Sequence, residues 1–325
     1  MKRIKQMKRM NRALCNSVLL LIGFLVAGGP LAAQSDYDLS QRWLNESIYN
    51  PGATGNHFVT ALSLHARMQW VGTDGAPLTQ VATFDTYVQE IRSAFGLLIM
   101  HDQIGYLNTY NIKASYAYHV PVGDEKTLSL GLSAGWLNRN RDIKENMADE
   151  WFDPVLARAR GADHAPEFDF GVEFRSAIFK AGASVRHLGF YTSSDFAAPP
   201  LTLWSYAAVQ LRVTNGFGLE PRVSYNYRND IHYIEAGAIL HFSQRARNYY
   251  SFRDLFWLGA MYRLHQQVSV HIGLHITPNI QAGYSFDYGF GDLATISDKG
   301  THELFFTWRF HRLFSKDTCC PALGN

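Results

Sequence analysis

From about residue 58 onward, apolar and polar residues alternate with a period of two. Between Thr127 and Leu137, Leu128, Leu130, Leu132, Ala134 and Trp136 share one face, and Ser129, Gly131, Ser133 and Gly135 share the other. Phe168, Phe170, Val172 and Phe174 alternate with Asp169, Gly171, Glu173 and Arg175, and Val268, Val270, Ile272, Leu274 and Ile276 with Ser269, His271, Gly273 and His275. This is the period of a β-strand with two unlike faces, and the charged residues keep to one of them. The pattern predicts about 14 strands, at 58–70, 78–89, 92–101, 109–120, 126–138, 166–175, 178–188, 200–213, 219–229, 231–242, 254–265, 267–277, 279–288 and 301–313. Most run to about ten residues, the length a tilted strand needs to cross a hydrocarbon layer, against about five or six in a globular sheet.

Tyr116, Tyr118, Trp136, Tyr225, Tyr227, Tyr284, Phe286, Tyr288, Trp308 and Phe310 fall near strand ends on the apolar face, as the interfacial belts of an outer-membrane barrel do. The expected fold is therefore all-β, a transmembrane antiparallel β-barrel of the outer membrane. An even strand count puts both ends of the barrel on the periplasmic side, with short turns there and longer loops at the surface. The short connections near 89–91, 176–177, 215–218 and 277–278 fit, as do the longer ones at 71–77, 101–108, 138–165, 189–199 and 289–300. The long stretch 243–253 and the short links at Asp230 and Gln266 break the rule.

The first twelve residues carry Lys2, Arg3, Lys5, Lys8, Arg9 and Arg12, followed by the apolar run Val18 to Ala27 and the small pair Ala32, Ala33. That is the order of a secretory signal peptide, and the run is too short to span a bilayer. The expected division is a signal at 1–33, a periplasmic or lumenal segment at 34–57, a barrel at 58–313 and a periplasmic tail at 314–325. The formal charge of +2 belongs to the signal, since without its six basic residues the chain is mildly acidic. With 18% charged and 14% aromatic residues, neither a disordered nor a nucleic-acid-binding protein fits. Cys319 and Cys320 are adjacent near the end and supply no disulfide framework.

Candidate chemistry is thin. His271 and His275 share a strand face but stand about 13 Å apart, too far for one metal. Ser269 beside His271 suggests nucleophile chemistry, yet no motif supplies a third group. No phosphate loop or dinucleotide fingerprint occurs, so neither a catalytic residue nor a cofactor is expected. Residues 145–165 mix charges with Trp151, Phe152 and Leu156, apolar residues that suit contact with a partner.

Asn50-Pro-Gly-Ala-Thr-Gly55, then Arg67-Met-Gln69-Trp70 and Asp74-Gly75-Ala-Pro77, resembles the PorP/SprF family of outer-membrane proteins associated with type IX secretion. Further elements in family order include Asp102-Gln-Ile-Gly105, Val185-Arg-His187-Leu188, Gly259-Ala-Met-Tyr-Arg263, Gly283-Tyr-Ser-Phe-Asp287 and Gly300-Thr-His302-Glu303. Gly52 stands where the family usually has Ala, and Asn50 and Pro51 carry the rest of that element. The resemblance implies a non-enzymatic barrel in contact with outer-membrane lipid. It would link that membrane to periplasmic secretion components or hold an exported adhesin at the surface by its C-terminal domain. Arg67 and Gln69 would then project into the lumen and pair with Glu303 or Asp287, with Asp102, His187, Arg263 and His302 as further motif or lumen candidates, while Asp74, Gly75 and Pro77 suit a tight turn. The competing reading is a passive uptake channel, for which the residues before the first strand look short for a full hatch.

Overall fold

The computed structural model describes residues 37–141, 161–189, 199–214, 216–228, 230–245, 252–291, 294, 297 and 299–310. The expected signal, the tail, and Trp151, Phe152 and Leu156 lie outside the described residues. The strands follow one another as β1 (Thr60–Met68), β2 (Leu78–Val88), β3 (Ser93–Ile104), β4 (Leu107–Gly123), β5 (Lys126–Arg141), β6 (Gly161–Arg175), β7 (Phe179–Leu188) and β8 (Thr202–Val209). They continue as β9 (Leu211–Thr214), β10 (Phe217–Arg228), β11 (Ile231–Arg245), β12 (Phe252–Arg263), β13 (Gln267–Thr277), β14 (Ile280–Gly289) and β15 (Thr301–Phe310).

All pairings are antiparallel, and β15 returns to β1 with Thr60 opposite Phe310, which closes the sheet. β8 and β9 both pair with β10 and form one stave interrupted at Gln210, so the closed barrel has 14 staves. Closure leaves the backbone of each membrane-crossing stave paired on both sides, the condition for crossing lipid with strands. Staves range from 9 residues in β1 to 17 in β4.

The alternation locates every stave, but it stops short in β4, β5 and β6. There the ladder continues to Leu107 opposite Arg141 and Arg141 opposite Gly161. Beyond the apolar belt both faces are polar, so the hydrogen-bonded ladder outlasts the hydrophobic signal. The expected loop at 101–108 likewise shrinks to Gly105-Tyr106, a turn made possible by the positive φ (+57°) of Gly105. Short turns cluster on the rim that holds Thr60 and Phe310. Longer connections, at 69–77, 142–160, 189–201 and 290–300, lie on the other, which also carries the short turns 105–106, 229–230 and 264–266, while 246–251 is the one longer connection on the first rim.

The faces are inverted relative to a soluble protein. Leu132 is 58% exposed, Ile99 49% and Ile272 49%, while Lys113 is 2% exposed and Glu167 and His271 0%. Apolar side chains outside and charged ones inside fit a barrel whose outer solvent is hydrocarbon. The expected belt residues all take the outward face. Among the described residues no helix is long and apolar enough to cross a membrane.

Candidate functional site

The chain's own residues 37–59 lie inside the lumen. Three short 3-10 turns, Arg42–Leu44, Glu46–Ile48 and Pro51–Ala53, fold this segment tightly. Leu39, Ile48 and Tyr49 pack with Val81, Leu98, Met100, Trp204 and Tyr206 of the wall, and Trp43 and Leu44 with Ile239, Trp257 and Phe305. A segment that looks short for a hatch suffices because inward-facing wall side chains supply the other half of the packing. The segment starts in the loop-side half of the lumen. Tyr37 accepts a hydrogen bond from Arg186, near the loop end of β7, at 2.9 Å, and Asp38 meets Arg263, the last residue of β12, at 2.7 Å. It then descends to the opposite rim, where Phe58 packs against Tyr87 at the end of β2. The strand ends share one rim, as expected, but the described N-terminal end does not lie there.

The Asn50-Pro51-Gly52 turn is docked on a bare patch of wall. Asn50 accepts the Gly52 N–H at 2.9 Å and donates to the Val172 carbonyl at 3.0 Å. Beneath it, Gly131 and Gly171 face each other across β5 and β6. A Cβ on Gly131 would overlap the Pro51 carbonyl and the Gly52 nitrogen, and one on Gly171 would overlap the Asn50 side chain. Gly52 itself is tight, since a Cβ there would stand 2.9 Å from the Gly171 carbonyl oxygen. Next to the patch, Thr54 covers Gly96, and its carbonyl lies 3.0 Å from His119 Nε2.

Buried charges tie the segment to the wall. Arg67 reaches Asp287 at 2.8 Å and Glu303 at 3.3 Å, the lumen pairing the sequence suggests. Glu303 also accepts the Ser40 N–H at 2.6 Å and the Gln41 N–H at 3.1 Å, and the Ser40 hydroxyl donates to Asp287. Arg42 joins Asp38 at 2.5 Å and Glu235 at 2.9 Å, and Arg263 joins the same two carboxylates. Glu46 lies 2.7 Å from both Lys180 and Arg222. Burial alone would raise the Asp38 carboxyl, but the guanidinium groups of Arg263 and Arg42 outweigh it and hold it at about 2. Glu46 is lowered in the same way, burial being overcome by Lys180, Arg222 and Arg175.

The remaining candidates scatter. Asp102 is buried in the lumen and accepts from Thr79 at 2.6 Å. His187 is buried there too, against Glu167. Gln69, expected beside Arg67, instead lies past the end of β1, where its backbone N–H donates to the Pro77 carbonyl at 2.9 Å. Asp74-Gly75 forms the expected turn, with Gly75 at φ +71° and its carbonyl accepting from Gly105. Trp70 sits at the same rim, its N–H 3.2 Å from Thr301 Oγ1. His302 faces outward, not into the lumen, because it is one residue out of phase with Thr301 and Glu303; its Nδ1 meets the Tyr284 hydroxyl at 2.6 Å.

Sequence reasoning missed the segment's own charges, Asp38, Arg42 and Glu46, and the receiving glycines. Their one visible signal is that Gly131 and Gly171 both fall on the polar face of adjacent strands. Glu167, Asp169 and His187 each place a donor atom within 4.8 Å of the others, a spacing that could suit a metal. Lys113 Nζ, however, contacts the two carboxylates at 2.7 and 2.8 Å and neutralises them as a cation would. His271 and Ser269 are fully buried in the wall.

A closed, apolar-faced 14-stave barrel that holds its own N-terminal segment inside the lumen is an outer-membrane barrel. The family model described as type IX secretion system membrane protein PorP/SprF matches residues 31–308. The chain belongs to that family. No curated protein matches the sequence. Among solved structures, the chain is similar to the toluene transporter TbuX of Ralstonia pickettii, with 13% identity over 81% of this chain and 93% of that one and a TM-score of 0.48. It is also similar to the CymD monoaromatic hydrocarbon channel, with 12% identity over 86% and 95% and a TM-score of 0.49. The outer membrane protein Omp33 of Acinetobacter baumannii follows, with 11% identity over 78% and 98% and a TM-score of 0.45. These likenesses are distant, and the barrel rests on this chain's own strand register.

Proposed function

We propose that the protein is a non-enzymatic, non-conducting outer-membrane anchor of type IX secretion, exported by the 1–33 signal, with its strand ends on the periplasmic side. The observation that carries this reading is the ion-paired segment 37–59, which occupies the path a solute would take. An anchor needs a rigid body and a docking rim, not a pore. The long connections gather on the loop-bearing rim, which in this orientation faces the cell surface. That rim is where the C-terminal domain of an exported adhesin would be held. The short-turned rim would face the periplasmic secretion components.

Planar-bilayer recording on the purified full chain tests the reading. A silent membrane is expected, and a steady open channel would replace the anchor with a passive uptake channel. Affinity purification from the native membrane should recover an exported protein or a secretion component. Recovery of neither would count against the anchor.

A further inference from the structure

Four strand imidazoles face outward from the barrel, and all four lie at the loop-bearing rim. His101 on β3 lies flat on Tyr110, with ring centres 4.5 Å apart and planes 12° apart. His164 on β6 stacks on Trp136 at 5.4 Å. His232 on β11 receives the Tyr225 hydroxyl at Nδ1, 2.7 Å away, with Tyr227 packed at 5.1 Å. His302 on β15 takes the Tyr284 hydroxyl at Nδ1 and packs edge-on against Phe286 at 5.3 Å. His265, in the turn between β12 and β13, fills the interval between β11 and β15 on the same rim.

The set is spread around the circumference, on staves well separated in the sheet order. At the opposite rim the belt consists of Phe95, Tyr116, Tyr118 and Trp308, and among the described residues no strand imidazole faces outward there. An ordinary interfacial belt needs only Trp and Tyr. Imidazole adds a ring N–H that can donate strongly to an anion, and a ring able to carry positive charge.

Two of the four rings, His164 and His232, keep a ring N–H with no partner among the described residues. With Tyr225 donating to His232 Nδ1, the proton of the neutral ring sits on Nε2, for which the described residues provide no partner. In His101 the Nε2 N–H is used toward the Asn108 amide oxygen at 3.3 Å, so Nδ1 donates only when the ring is protonated, and in His302 both nitrogens are used, Nδ1 by the Tyr284 hydroxyl and Nε2 by the Lys299 carbonyl at 3.1 Å. Hydrocarbon offers the free N–H groups of His164 and His232 nothing, so a partner for them comes from the headgroup layer.

We infer that this imidazole girdle binds phosphate-bearing lipid headgroups of the leaflet at the loop-bearing rim. The inference requires only that the barrel sits in a membrane. It does not depend on which secretion partner the barrel serves.

The test is thermal unfolding of the full chain in an uncharged detergent. The additions are a bisphosphorylated lipid A, the same glycolipid without phosphate, and inorganic phosphate. The phosphorylated lipid should raise the unfolding temperature, with little effect from the other two. The combined His101→Phe, His164→Phe, His232→Phe and His302→Phe variant should need about tenfold more of that lipid for the same shift. If this variant fails to fold, the pair His101→Phe and His164→Phe, whose ring stacking Phe preserves, should show part of the loss. An equal shift from the phosphate-free glycolipid, a shift from inorganic phosphate alone, or an undiminished shift in the foldable variant would overturn the inference.

Discussion

Gly131→Ala tests how the plug is seated. The added methyl would lie closer than 3.0 Å to three backbone atoms, the Pro51 carbonyl carbon and oxygen and the Gly52 nitrogen. No flexible side chain can give way, so the turn must move by about 1 Å to regain ordinary contact. That shift breaks the bond from Asn50 to the Val172 carbonyl, the one from Ser184 to the Tyr49 carbonyl at 2.7 Å, and the contact of His119 with the Thr54 carbonyl. At about 1 kcal/mol each, the plug loses about 3 kcal/mol of docking energy, so its undocked population rises about a hundredfold. Two assays follow the undocked state, tryptic cleavage after Arg42 and opening events in a planar bilayer. Gly218→Ala is the control, since its methyl would stand 3.6 Å from the His241 Cβ, in ordinary contact. If Gly131→Ala cleaves as slowly as Gly218→Ala and stays as silent, the glycine patch does not seat the plug.

Three further outcomes are expected. Glu303→Gln removes the charge that serves Arg67 and two plug N–H groups, costs about 3–5 kcal/mol, and should speed proteolysis at Arg42 without unfolding the barrel. Lys113→Met leaves Glu167 and Asp169 unneutralised, should lower the midpoint of denaturant unfolding by a similar energy, and should be rescued by adding Glu167→Gln with Asp169→Asn. Because the Asp38 carboxyl is depressed to about 2 in the folded state, its contribution is complete above about pH 4 and is lost as the pH falls toward 2. Proteolysis of the plug by an acid-active protease should accelerate across that window, and more weakly in Asp38→Asn.

The alternation of residues such as Leu128 to Trp136 settled the staves, their inward and outward faces, and the aromatic belts. Each of these depends on local periodicity between a residue and its neighbours two away. The pairing of Arg67 with Asp287 and Glu303 was also within reach, because all three sit on the polar faces of strands that must meet when the barrel closes. The path of residues 37–59 was not. Its contacts join Ser40 to Glu303 and Asn50 to Val172, across separations that no periodic signal spans. The segment itself has no alternation, because it packs against wall on every side.

The phase of His302 shows the same limit on a smaller scale. The motif that contains it suggested the lumen, but one residue of register turns a side chain to lipid. The sequence by itself determined that the chain builds a membrane barrel with a polar interior. Only the tertiary structure decided that the N-terminal segment lies inside that interior, because its seat depends on register among distant staves, which sets Gly131 and Gly171 side by side under Pro51.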